Sequence, residues 1–75
     1  MQIRLKLMGM LKPRTPAGGV LEVTDGATID DVLRALEIAP RAIQVITVNG
    51  QFERNRSRVL AADDELAAIP PVGGG

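Results

Sequence analysis

The chain has no cysteine, histidine, tryptophan or tyrosine, and Phe52 is its one aromatic residue. Without cysteine there is neither a disulfide nor a thiolate metal site. Without histidine the usual general base and the commonest metal ligand are both missing. Neither sign of charge is in excess, since nine Lys and Arg balance nine Asp and Glu. That disfavours nucleic acid as a partner, because phosphate recognition wants a basic surplus and single strands want stacking aromatics. No apolar run approaches the ~20 residues of a membrane span. The opening Met1–Leu7 alternates polar and apolar residues, unlike the unbroken apolar stretch of a secretory signal. The expectation is a cytoplasmic protein with no membrane partner and no metal.

Aliphatic residues must carry the fold. Seventy-five residues allow one domain, and a core of that size supplies only ~3–5 kcal/mol net. Ile3, Leu5 and Leu7 alternate with Gln2, Arg4 and Lys6, the period of a half-buried strand. Gly9 to Gly19 holds Pro13, Pro16, Gly18 and Gly19 and reads as a loop. Val20–Val23 follows as a second short strand, closed by Asp25-Gly26. Thr28 then opens a helix, its hydroxyl capping a backbone N–H and Asp31 completing a capping box. Ile29, Val32, Leu33 and Leu36 form one apolar stripe. Pro40 is expected to end this helix, at about 15 Å for ten residues.

The β-branched run Gln44–Val48 predicts a central strand. Asn49-Gly50 predicts a tight hairpin turn, with Gln51–Glu53 pairing back. Arg54 to Arg58 reads as a polar loop, Val59-Leu60 as a return to the core, and Glu65–Ile69 as the last strand. A single apolar stripe buries against one face of one sheet. With the final strand parallel to the first at its centre, the fold class is α+β, a β-grasp (ubiquitin-like) mixed sheet of four to five strands with one main helix. The expected organisation is a β-grasp domain over residues 1–69 and a flexible tail over residues 70–75.

That tail, Pro70-Pro71-Val72-Gly73-Gly74-Gly75, is where chemistry is expected. The rest of the chain has no convincing catalytic set, and the Gly75 α-carboxylate is the candidate reactive group. Pro70 and Pro71 cannot donate ladder hydrogen bonds, so they end the strand and favour an extended segment. Four residues beyond Pro71 reach at most ~13–14 Å. The glycines lack a Cβ and suit a narrow channel in another protein. Glycines alone also fit a frayed terminus. Arg54, Arg56 and Arg58 would share one face if extended and would meet an acidic partner, or they form a solvated loop. Phe52 reads equally as an interface anchor or a cap on the core. Met8 and Met10, on either side of Gly9, read as gap-fillers or else as a soft exposed contact. Asp63, Asp64 and Glu65 read as a solvated acidic turn rather than a metal site.

The order of elements, the Val48-Asn49-Gly50 turn, the Leu60…Asp64-Glu65-Leu66 approach to the last strand and the Pro-Pro-Val-Gly-Gly-Gly ending resemble the ubiquitin-like sulfur carriers. These are the small subunit of molybdopterin synthase and the thiamine-biosynthesis sulfur carrier. The resemblance spans the whole chain. The ending is similar to the Pro-Pro-Val-x-Gly-Gly of the molybdopterin branch, with Gly73 at the variable position. The short stretch from Gly26 to Asn49 leans toward the thiamine branch. Ala62-Asp63-Asp64-Glu65 departs from the usual Asp-Gly-Asp-Glu, and Ala68-Ile69 from the frequent Phe-Phe.

The resemblance implies a protein co-substrate rather than an enzyme, with no bound cofactor. An E1-like adenylating enzyme would activate the Gly75 carboxylate with ATP, and a sulfur donor protein would convert the adenylate to a thiocarboxylate. Gly74 would complete the Gly-Gly pair. The sulfur would pass to a precursor held by the molybdopterin synthase large subunit or by thiazole synthase. Pro70, Pro71, Val72, Gly73, Phe52, Arg54, Arg56 and Arg58 are the expected partner contacts. A ubiquitin-like modifier that joins Gly75 to lysines is the alternative, with Lys6 and Lys12 the chain's own lysines. A β-grasp interaction module with an inert tail is a third reading.

Overall fold

Ile3, Leu5 and Leu7 are buried along β1 (Gln2–Leu7), while Gln2, Arg4 and Lys6 are exposed, so the period of two is realised in full. The computed structural model describes residues 1–71. β1 pairs antiparallel with β2 (Val20–Glu22) on one side. On the other it pairs parallel with β5 (Glu65–Ile69), matching Leu5 to Leu66 and Leu7 to Ala68. β5 also pairs antiparallel with β3 (Val45–Val48), which in turn pairs with β4 (Gln51–Phe52). The sheet order β2-β1-β5-β3-β4 places the last strand centrally beside the first, as the pattern predicts.

The single α-helix among the described residues, α1 (Ile29–Ala35), covers one face of this sheet. Its start is the expected capping box. The Asp31 N–H donates to Thr28 Oγ1 at 3.2 Å, and the Thr28 N–H donates to Asp31 Oδ2 at 3.0 Å. Ile29, Val32, Leu33 and Leu36 are all buried against Ile3, Leu66, Val48 and their neighbours. Full burial of each such side chain is worth about 1.5–3 kcal/mol, which is how a small chain without disulfides holds together.

The helix is shorter than expected, and Pro40 is not its stop. It spans seven residues. Glu37 swings to φ +58°. The Glu37 N–H donates to the Arg34 carbonyl at 3.0 Å and the Ile38 N–H to the Leu33 carbonyl at 2.9 Å. This is a Schellman closure with glutamate where glycine is usual. Pro40 instead opens a 3-10 turn, Pro40–Ala42, where its missing N–H costs nothing.

Other expectations are also corrected. The Gly9–Gly19 loop contains two 3-10 turns, Gly9–Arg14 and Ala17–Gly19, and sends Leu11 into the core. Met10 is 76% exposed, so it fills no gap. Val59 bridges to Thr28 but stays exposed, and Leu60 alone re-enters the core. The Asn49-Gly50 turn forms as predicted, with both residues at positive φ.

Candidate functional site

The proline pair ends β5 at Ile69, and the chain there is clamped on both sides. The Met8 N–H donates to the Ala68 carbonyl at 3.1 Å, and the Gln44 N–H donates to the Ile69 carbonyl at 2.8 Å. Pro70 is half-buried, and its ring lies over Gly9. Gly9 sits at φ +53°, and a Cβ there would stand 3.1 Å from Pro70 Cγ. Two requirements therefore meet at Gly9: left-handed backbone and room for the proline ring. Pro71 is exposed. Val72, Gly73, Gly74 and Gly75 lie outside the described residues.

Beside this root, the sheet face opposite α1 carries no helix among the described residues. Register puts Lys6, Ala67, Thr47 and Phe52 side by side across four strands, with Ile69 and Val45 paired on the next row. Phe52 is 80% exposed, which decides between the two readings of it: it caps no core. Ala68 faces the core at 0% exposure, so of the pair that replaces Phe-Phe only Ile69 faces outward.

The three arginines do not share one extended face. A turn at residues 55–57 intervenes, closed by the Arg58 N–H donating to the Asn55 carbonyl at 3.1 Å. Asn55 Oδ1 accepts the Ser57 N–H at 3.0 Å. Arg58 Nη1 pairs with Glu53 Oε1 at 2.9 Å, and Arg56 Nη1 donates to the Pro40 carbonyl at 3.2 Å. Arg54 stays exposed. The Asn55 N–H and then Arg58 hold the Glu53 carboxyl below its ordinary range. Phe52, Arg54 and Arg56 do meet, around a shallow groove of about 510 Å³ that Gln44, Val45, Ile46 and Glu53 complete.

The acidic turn at the far end of β5 is structural. Asp64 Oδ2 accepts the Ala61 N–H at 2.8 Å and Asp64 Oδ1 accepts from Asn49 Nδ2 at 2.9 Å. Asn49 Oδ1 accepts the Glu65 N–H at 2.9 Å. The Ala61 N–H, followed by Asn49, holds the Asp64 carboxyl below its ordinary value. Asp63 adopts φ +65°, so aspartate fills the left-handed position where the sulfur-carrier pattern has glycine. Among the described residues no cluster of three or more His, Cys, Asp or Glu is placed to hold a metal ion. No helix there is long and apolar enough to cross a membrane.

Sequence reasoning missed Gly9, Lys6, Val45 and Ile69 as parts of this region. Gly9 carried the signal of a glycine just after a strand. The other three become neighbours only through the register of β1, β5 and β3.

Comparison with known proteins agrees with this fold. The ThiS family model matches residues 5–75. The chain is similar to the crystal structure of SAMP1 from Haloferax volcanii, with TM-score 0.74 and 26% identity over 100% of both chains. It is also similar to small archaeal modifier protein 1 of H. volcanii, with TM-score 0.71 and 26% identity over 95% of this chain and 98% of that one. One chain of the complex of subunits 1 and 2 of the molybdopterin-converting factor from Helicobacter pylori matches in fold, with TM-score 0.64 and 16% identity over 100% of both. No curated protein sequence matches. A family match over nearly the whole length, on a five-stranded β-grasp sheet with one covering helix, places the chain in the ThiS family of ubiquitin-like sulfur carriers.

Proposed function

We propose that this protein is a cytoplasmic sulfur carrier whose Gly75 carboxylate is adenylated and then converted to a thiocarboxylate. The observation that carries the reading is a family match that runs through the Gly74-Gly75 pair, on a domain whose last strand leads directly into that segment. A carboxylate is ionised near neutrality, with an ordinary terminal pKa of about 3.3–3.7, and is a poor electrophile. Adenylation bonds one carboxylate oxygen to the α-phosphate of ATP and releases pyrophosphate, and a sulfur nucleophile then attacks the carbonyl carbon and expels AMP together with that oxygen. An E1-like enzyme supplies ATP and the adenylation site, a sulfur donor protein supplies the sulfur, and the chain itself is a co-substrate. The Pro-Pro-Val-Gly-Gly-Gly ending favours delivery to the molybdopterin synthase large subunit. Thiazole synthase is the alternative recipient. ATP–pyrophosphate exchange by the cognate adenylating enzyme should depend on this chain and vanish when Gly74 and Gly75 are deleted. Exchange that persists after the deletion contradicts the proposal.

A second reading, a protein modifier, is favoured by the 26% likeness to small archaeal modifier protein 1 over 95% of this chain. It shares the activation step. A ladder of isopeptide-linked proteins in cell extracts, lost on deleting Gly74-Gly75, separates it from a pure carrier.

A further inference from the structure

Asn49-Gly50 is the turn that joins β3 to β4, with Val48 paired to Gln51 on either side of it. Both turn residues are exposed. The Asn49 side chain nevertheless uses both ends of its amide. Nδ2 donates to Asp64 Oδ1 at 2.9 Å, and Oδ1 accepts the Glu65 N–H at 2.9 Å. The Asn49 N–H donates in turn to the Glu65 carbonyl at 2.8 Å. One residue thus holds both backbone groups of Glu65 and latches the turn to the start of β5. Asp64 is fixed for this contact because its Oδ2 accepts the Ala61 N–H at 2.8 Å.

An asparagine followed by glycine carries its own nucleophile. The backbone nitrogen of Gly50 can attack the Asn49 Cγ and close a cyclic imide. Gly50 has no β-carbon to obstruct that approach, and nothing lies within 4 Å of where one would stand. Asn55, the chain's other asparagine, precedes Arg56, whose side chain obstructs the same attack. Ring closure at Asn49 must turn its amide out of the contact with β5, because the carbon between the two bonded atoms has to reach the Gly50 nitrogen. Both hydrogen bonds then break, and the one to the Asp64 carboxylate belongs to the stronger, charge-assisted class.

We propose that Asn49 is a deamidation site that the fold holds shut through Asp64 and Glu65. When the latch opens, a bond forms from the Gly50 nitrogen to Cγ and the bond from Cγ to Nδ2 breaks. The Gly50 amide proton leaves with Nδ2 as ammonia. Water then adds to either carbonyl of the ring and opens it. The product is aspartate or, with the backbone rerouted through Cγ, isoaspartate. Both products break the latch. Aspartate puts a carboxylate where Nδ2 donated, facing the Asp64 carboxylate, and like charges so placed oppose each other's ionisation. Isoaspartate adds a backbone carbon to a tight turn that sets the register of Thr47 against Phe52. β5 runs from this latch to Ile69, so the change loosens the strand that carries the tail at the end away from it. Nothing in this chemistry depends on the carrier reading.

The test follows ammonia loss from the full-length chain in mildly alkaline buffer, by intact mass and by peptide mapping. It compares native wild type, wild type unfolded in guanidinium chloride, and native Asp64→Ala, with circular dichroism confirming which samples are folded. Isoaspartate is counted only in the peptide that holds Asn49, because Asp25-Gly26 can form it with no change in mass. Asn49 should deamidate about thirtyfold or more faster in the unfolded chain than in the native one, where two hydrogen bonds must open. Asp64→Ala removes the charged acceptor and should raise the native rate by about tenfold. Asn55 should stay slow throughout. If Asp64→Ala does not fold, Asp64→Asn keeps an uncharged acceptor and should raise the native rate by a smaller factor. Asn49→Asp, the product made by substitution, should melt several degrees below wild type. An Asn49 that survives intact in the unfolded chain overturns the site. Equal rates in native and unfolded wild type, or an unchanged native rate in every folded Asp64 variant, overturn the latch. An Asn49→Asp chain as stable as wild type overturns the loosening of β5.

Discussion

Replacing Gly9 by alanine should destabilise the domain through two separable effects. At φ +53° a β-carbon is strained, and the left-handed region costs an L-residue about 1–2 kcal/mol. Alanine also stiffens the unfolded chain, which returns about 0.4–1 kcal/mol. The third contribution is the contact with Pro70, where the new Cβ would stand 3.1 Å from Cγ. Relieving it requires the ring to shift by a few tenths of an ångström, and the Ile69 carbonyl is fixed by Gln44 immediately before it. Together these predict a net loss of about 1–2 kcal/mol, and at about 4–8 °C per kcal/mol for a domain of this size the melting point should fall by roughly 5–15 °C. A double-mutant cycle isolates the proline contact. Pro70→Ala removes Cγ and Cδ, so Gly9→Ala should cost less in that background, by about 0.5 kcal/mol or more. Urea denaturation monitored by far-UV circular dichroism gives all four stabilities. An unchanged melting point for Gly9→Ala would refute the strain argument. Strict additivity with Pro70→Ala would refute the claim that Gly9 seats the root of the tail.

Glu37→Gly and Asp63→Gly should each leave stability unchanged or raise it by up to about 1 kcal/mol, since each removes a left-handed non-glycine residue; a loss in chemical denaturation contradicts this. Leu66→Ala, at a site 1% exposed between Leu5 and Val48, should cost about 2–5 kcal/mol, a large part of the few kcal/mol such a domain holds, and thermal unfolding reads it directly. Asp31, Glu53 and Asp64 have folded pKa values below their ordinary 3.8, 4.5 and 3.8. Their contribution is therefore present above those values and lost as pH falls through the lower folded ones. The melting point should drop on acidification below about pH 4.5, and Asp64→Asn should make that drop shallower.

The parts of the fold legible in the sequence are those set by local periodicity. Ile3, Leu5 and Leu7 alternate, the α1 stripe repeats at helical spacing, and Thr28 with Asp31 marks a helix start by side chains that bond their own backbone. The helix end was not legible because Glu37 takes a conformation that glycine usually announces, and Pro40 was the more conspicuous breaker. Asp63 hides a left-handed turn in the same way. The arginine segment misled because alternation implies a common face only in extended chain, and Asn55 folds it into a turn. Phe52 was undecidable from sequence. Its exposure follows from pairing with Thr47 on the uncovered face, a matter of register between strands. Gly9 and Pro70 come together only because the first and last strands run parallel at the centre of the sheet. Of the tail itself, residue type and the family resemblance point to Gly74 and Gly75, and Val72–Gly75 lie outside the described residues.

The most direct test of the carrier reading is the intact mass of the chain after incubation with its cognate adenylating enzyme, ATP and a sulfur donor. The mass should rise by the difference between a sulfur and an oxygen atom, with the change confined to the C-terminal peptide and absent when ATP is omitted. A chain that the enzyme adenylates but that never gains sulfur, with any donor from the same cell, would contradict the reading.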